Sequence, residues 1–134
     1  MPENTEELIR RLGRYKDIRE VIKNNENKFT KATVRDLLNH FLVEKGIKIS
    51  DVERKSGQSE YVYKIFNGVR KASRDVLISI AYGMELTLAE TQELLTTAYF
   101  APLNPRDKRD LVFIYGLLNR KSIFEIRAIL EEVS

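Results

Sequence analysis

Ser56-Gly57-Gln58-Ser59-Glu60-Tyr61-Val62-Tyr63-Lys64-Ile65-Phe66-Asn67-Gly68 is the stretch on which the reading of this chain turns. Val62, Ile65 and Phe66 recur at i, i+3 and i+4, the spacing of one helix face, so a short helix is predicted over 59–67. Its other side carries Ser59, Glu60, Tyr63, Lys64 and Asn67, a polar face with large side chains. Gly57 can take the left-handed conformation and makes the turn before the helix tight, and Gly68 stops it.

Outward from that stretch the helical spacing continues on both sides. Upstream, a short helix is predicted over 50–55, with Ser50-Asp51-Val52-Glu53 reading as a capping box. Before it, Val34, Leu37, Leu38, Phe41 and Leu42 share one face of a helix over 30–45 that Gly46 ends. Downstream, Asn67-Gly68-Val69-Arg70-Lys71-Ala72-Ser73-Arg74 sets three cations against the start of a helix that Ser73 caps and that runs to Met84. Long helix, short helix, tight turn, short helix, basic loop, helix is the order a helix-turn-helix reader needs. One helix braces on the nucleic-acid backbone while the next lies in the major groove. Any short surface helix has a polar outer side, so the basic loop is the more telling feature. Backbone N–H groups, the helix dipole and guanidinium groups there can jointly hold a phosphate.

The remainder is helical as well. A first helix is predicted over 5–23, capped by Asn4 with Glu7 as reciprocal partner, and with Leu8, Leu12, Tyr15, Ile18 and Ile22 as its apolar seam. Asn24-Asn25-Glu26-Asn27 breaks it. Thr87 opens a helix that ends near Phe100, Pro102 and Pro105 enforce a break, and helices over 106–119 and 122–133 finish the chain. No segment alternates with period two, so the expected class is all-α.

A repeat with an offset of 35 residues links the later helices. Arg74-Asp75-Val76-Leu77 matches Arg109-Asp110-Leu111-Val112, and Thr87-Leu88-Ala89-Glu90 matches Ser122-Ile123-Phe124-Glu125. Arg35-Asp36-Leu37-Leu38 and Ser50-Asp51-Val52-Glu53 repeat the pattern less regularly. Three helix pairs result, with the helix over 59–67 inserted after the first. The expected organisation is an N-terminal helix and linker over 1–28, a reader domain over 29–101, and a C-terminal helix pair over 102–134 packed on it.

Composition narrows the function. The 134 residues are 43% hydrophobic, enough for one packed core, and contain no cysteine, so disulfides and thiolate metal sites are excluded. Net charge is only +3, but residues 34–74 hold nine Lys/Arg against five Asp/Glu, while 75–105 hold none against four. That is a polarised surface. Apolar runs are too short for a membrane span, and the polar opening Met1-Pro2-Glu3-Asn4 gives no secretory signal, so a cytoplasmic protein is expected. His40 is the only histidine and has no nucleophile or ligand at useful spacing. No glycine loop for phosphate occurs, and neither catalytic residues nor a metal or other cofactor are expected.

The stretch 56–68 resembles the second and third helices of phage-repressor-like (XRE) regulators, down to the Phe66-Asn67-Gly68 ending. The likeness extends through Arg70-Lys71-Ala72-Ser73-Arg74-Asp75 and Leu86-Thr87-Leu88-Ala89-Glu90-Thr91 to Pro102-Leu103-Asn104-Pro105-Arg106-Asp107-Lys108-Arg109-Asp110. It implies a lambda-repressor-like DNA-binding unit, frequent homodimerisation and a transcriptional, repressor-type role on double-stranded DNA. Carried over by position, Gln58, Ser59, Glu60, Tyr63 and Lys64 would read bases, and Asn67, Arg70, Lys71 and Arg74 would hold phosphates. Three departures stand out. The turn is about one residue shorter than the common pattern, Ala72 replaces a usual proline, and Glu53 replaces a usual small residue. Glu60 suits either the helix dipole or a cytosine amino group. Of Tyr61 and Tyr63, one is expected to pack and the other to touch DNA. A dimer would form through the C-terminal pair or the Leu8–Ile22 seam. The rival reading is a protein-interaction module, an antitoxin or adaptor on the same helices without DNA contact. No small-molecule effector can be read from the residues.

Overall fold

The computed structural model describes residues 5–13, 18–19, 33–58 and 61–133. The chain divides into two units, Met1–Lys31 and Ala32–Ser134, three residues later than the boundary expected. In the first unit, helix α1 spans Thr5–Leu12. The Asn4 cap and the side chains of Leu8, Leu12, Tyr15 and Ile22 lie outside the described residues, and Ile18 is exposed.

The second unit is all-helical, and no strand occurs among the described residues. Its helices are α2 (Val34–Lys45), α3 (Ile49–Ser56), α4 (Tyr61–Phe66), α5 (Arg74–Gly83), α6 (Leu88–Thr97), α7 (Lys108–Leu118) and α8 (Ile123–Val133). Local chemistry sets most of their ends. Thr33 caps α2 in a reciprocal box with Asp36, so that helix starts later than expected. Ser73 accepts from the Val76 amide at the start of α5, and Thr87 boxes with Glu90 at α6. Asp107 caps α7, and Ser122 exchanges bonds with Glu125 at α8.

One expected cap is absent. Helix α3 begins at Ile49 behind Lys48, with no side-chain cap, so Ser50 and Glu53 form no box. The reason is burial: Ile47 and Ile49 pack against the core and draw the helix start forward, leaving Ser50 in the first turn.

The core joins all the helix pairs. Leu38 and Phe41 of α2, Val52 of α3, Val62, Ile65 and Phe66 of α4, and Leu77, Ile78 and Ile80 of α5 are buried together with Leu94, Leu95, Phe113, Ile123 and Ile126. A helix as short as α4 is unstable in isolation, because nucleation is costly. Three buried apolar side chains, each worth about 1.5–3 kcal/mol, hold it in place. Helices α3 and α5 approach most closely at Gly83, where a Cβ would stand 2.9 Å from Ser56 Cβ and 3.0 Å from the Val52 carbonyl oxygen.

The repeat is present in the backbone. Helices α6 and α8 start 35 residues apart, as do the left-handed residues Glu85 (φ 55°) and Arg120 (φ 52°) that close α5 and α7. The two Arg-Asp dipeptides exchange partners. Arg74 donates to both Asp110 carboxylate oxygens at 3.0 and 2.8 Å, and Arg109 donates to Asp75 at 3.1 Å. The segment between α6 and α7 is fixed by Arg74, which also donates to the Ala101 and Pro102 carbonyls, and by Gln92, which exchanges two bonds with Leu103.

Candidate nucleic-acid interface

The inserted helix α4 is two-faced. Val62, Ile65 and Phe66 are buried, while Tyr61, Tyr63 and Lys64 are exposed. Its C-terminus is closed by a hydrogen-bonded reversal: Gly68, at φ 75°, donates to the Ile65 carbonyl and Val69 donates to that of Lys64. The Arg70 amide donates to the Lys64 carbonyl too, which folds the basic loop back along the helix. From α2, Asn39 donates its side-chain amide to the Phe66 carbonyl at 3.0 Å and pins the same end.

That fold-back assembles a cationic, aromatic surface. The Arg70 guanidinium lies 4.1 Å over the Tyr61 ring, a stacking that orders the long side chain while leaving its N–H edges open. Tyr61 and Tyr63 are 42% and 48% exposed, so neither is a core residue and the expected division between them does not hold. Asn67, Val69 and Lys71 are exposed alongside.

Arg35 joins this surface, and the sequence reading left it out. A Cβ on Gly68 would meet the Arg35 Cδ at 3.0 Å, so the arginine stem lies along the loop. Three Arg-Asp dipeptides occur in the repeat, and their arginines diverge. Those at 74 and 109 pair with carboxylates, whereas Asp36 turns back to Thr33 and not to Arg35. Among the described residues, no carboxylate lies within ion-pair distance of Arg35, Lys64, Arg70 or Lys71. Elsewhere Lys45, Lys55, Arg54 and Lys121 have carboxylate partners, while Lys48, Arg106, Lys108, Arg120 and Arg127 have none among the described residues.

One expected contact falls elsewhere. Arg74 is not part of the loop surface: its guanidinium is committed to Asp110 and two backbone carbonyls, so it serves the fold rather than a phosphate. Burial would raise the Asp110 carboxyl, but hydrogen bonds from Arg74 and the Asn104 amide outweigh it and hold that carboxyl below its usual range. Gln58 is half-buried. Its amide donates to Ser56 Oγ, and it borders a shallow depression with Ser79, Arg109 and Arg127. Ser59 and Glu60 lie outside the described residues.

Helix α8 supplies an unexpected neighbour to the turn. Gly57 sits at φ 71°, and a Cβ there would come within 2.7 Å of Arg127 Nη1 and 3.3 Å of the Phe124 ring. Arg127 donates to the Ser56 carbonyl at 3.5 Å and to Ser79 Oγ at 3.4 Å. A cation at the last carbonyls of α3 complements that helix's dipole and seals the turn from which α4 departs.

His40 is exposed, its Nε2 lies 2.8 Å from the Glu44 carboxylate, and no group of three or more His, Asp or Glu that could hold a metal ion occurs among the described residues. No helix among the described residues is long and apolar enough to cross a membrane. No family model, curated protein or solved structure matches this chain.

Proposed function

We propose that the chain binds double-stranded DNA in a sequence-dependent way and acts as a repressor-type transcriptional regulator, with α4 in the major groove. One observation carries the reading. A short helix anchored by three buried apolar residues turns Tyr63 and Lys64 outward beside Arg35, Arg70 and Lys71, and none of these four cations has a carboxylate partner among the described residues. Unpaired cations repel one another, and a phosphate backbone removes that cost by releasing its own counterions. In this reading Tyr63 and Lys64 read base edges, and Arg35, Asn67, Arg70 and Lys71 hold phosphates.

The regulator is a homodimer in this reading, because helix-turn-helix readers bind half-sites about one turn apart through two-fold symmetry. Helix α7 supports the C-terminal pair as its interface: Leu111, Tyr115 and Leu118 recur at i, i+4 and i+7 and are all exposed. Sedimentation at tens of micromolar showing monomer alone would remove the dimer.

Fluorescence anisotropy with duplex DNA over a range of salt tests the binding itself. About four phosphates neutralised per protomer give a slope of about −4 in log affinity against log salt for each protomer bound, and about −7 for the dimer. A flat dependence, or no binding at low salt, favours the rival reading of an interaction module with a protein partner.

A further inference from the structure

A cleft of about 700 Å³ opens where the α3, α5, α7 and α8 ends meet, away from the Tyr63–Lys64 face. Its volume falls within the range of small-molecule sites, about 300–1,000 Å³. The half-exposed Phe124 gives it apolar surface, beside the buried Tyr82, Leu86 and Leu117, which show only their edges. The Tyr82 hydroxyl is already engaged with the Phe113 carbonyl, so this wall asks for no polar partner.

The rim is polar and cationic. It carries Lys45, Lys55, Arg120 and Lys121 against Glu85 and Glu125. Lys45 pairs with Glu90 at 2.9 Å, and the Lys55–Glu85 and Lys121–Glu125 pairs are longer, at 3.7 and 3.9 Å. Arg120 has no carboxylate partner among the described residues. It also holds a left-handed backbone conformation (φ 52°) that glycine would occupy without strain. Arg120 thus sets a cation without a carboxylate partner among the described residues at the mouth of the cleft.

Phe124 connects the cleft to the reader. It lines the cleft and also lies against Gly57, beside Arg127 at the α3–α4 turn. A molecule displacing Phe124 would move the residues that seal that turn.

We propose that this cleft binds a small amphipathic monocarboxylate, its tail against Tyr82, Leu117 and Phe124 and its carboxylate on Arg120, and that occupancy alters DNA affinity through Phe124 and Arg127. The binding stands independently of the proposed function; only the effect on DNA rests on that reading.

The test is an NMR titration of the full chain with sodium octanoate, compared with octylammonium, which has the same tail and the opposite charge. Octanoate is expected to shift the amides of Leu86, Gly116, Leu118 and Ser122 saturably, and octylammonium is not. Arg120→Gly should weaken octanoate binding by about two- to fivefold, while leaving the melting temperature unchanged or raised. Glu85→Gly relieves the same backbone strain on the same rim and should leave octanoate affinity unchanged or tighter. Equal binding of both amphiphiles, or an octanoate affinity that Arg120→Gly does not change, overturns the site. With duplex present, saturating octanoate should change DNA affinity by about fivefold or more, and DNA should change octanoate affinity by the same factor. An unchanged DNA affinity overturns the coupling. A chain that binds octanoate but no duplex would remove the DNA reading and leave the site standing.

Discussion

Arg70 and Arg74 stand one helical turn apart in sequence and have separate fates, so they make separate predictions. Arg70 stacks on Tyr61 with no carboxylate partner among the described residues, next to Lys71. Replacing both with alanine should weaken binding to every DNA sequence and make the salt slope shallower by about two. An unchanged slope in anisotropy would place the loop away from the phosphates. Lys64→Ala should instead change which sequences are preferred, by about 1–3 kcal/mol per lost base contact. Arg74 belongs to the buried pair with Asp110. Asp110→Asn leaves a half-buried guanidinium without its anion and should cost about 2–4 kcal/mol of stability in denaturant melts. The sign with pH follows from the direction of the shift. A carboxyl held below its unfolded value of about 3.9 stabilises the fold fully above that pH and loses its contribution as acid protonates it. The gap between wild type and Asp110→Asn should therefore narrow as pH falls below about 4. A constant gap down to pH 3 or so would contradict the assignment.

Elements end for two kinds of reason, and only one of them is legible in residue types. Glycines at 46, 57 and 68 mark the ends of α2, α3 and α4, and each takes the left-handed conformation. Helices α5, α6 and α7 close through the same hydrogen-bonded reversal, but with Glu85, Tyr99 and Arg120 in the left-handed place. No residue preference announces those three. At α5 and α6 the stop is enforced instead by the next residue, Leu86 or Phe100, turning back into the core. Tyr99 is 98% exposed, so Tyr99→Gly removes backbone strain with little packing loss. Its melting curve should show a gain of up to about 1 kcal/mol; a loss would mean that the ring packs somewhere. Capping residues divide in the same way. Thr87 with Glu90 and Ser122 with Glu125 form the boxes that their spacing predicts, while Ser50 and Glu53 do not, because burial of Ile49 moves the start of α3. Close approach also escaped the spacing argument. Gly83→Ala puts a methyl against Ser56 and the Val52 carbonyl and should cost about 1–3 kcal/mol.

Across the whole molecule, the contacts that escaped the sequence reading are those between distant residues. The all-helical class, the 35-residue repeat and the two faces of α4 follow from local spacing and were legible. Arg74 with Asp110, 36 residues apart, and Arg127 with the Ser56 carbonyl, 71 apart, depend on how the helix pairs dock, which periodicity does not encode. Arg35 was missed for the same reason, since only the folded chain lays it along Gly68. These long-range contacts tie the C-terminal pair to the start of α5 and the end of α3. Arg127→Ala should lower DNA affinity for all sequences while leaving the salt slope unchanged, because its guanidinium faces Ser56 and Ser79 rather than a phosphate. A slope shallower by about one would make Arg127 a phosphate contact instead. The central claim, that the outer face of α4 reads base edges, is tested most directly by selecting binding sites from random duplex DNA with wild type and with Lys64→Ala. Enrichment of one half-site motif by wild type, changed at neighbouring positions by the variant, is the expected result. No enrichment by wild type, or the same motif from both proteins, would contradict it.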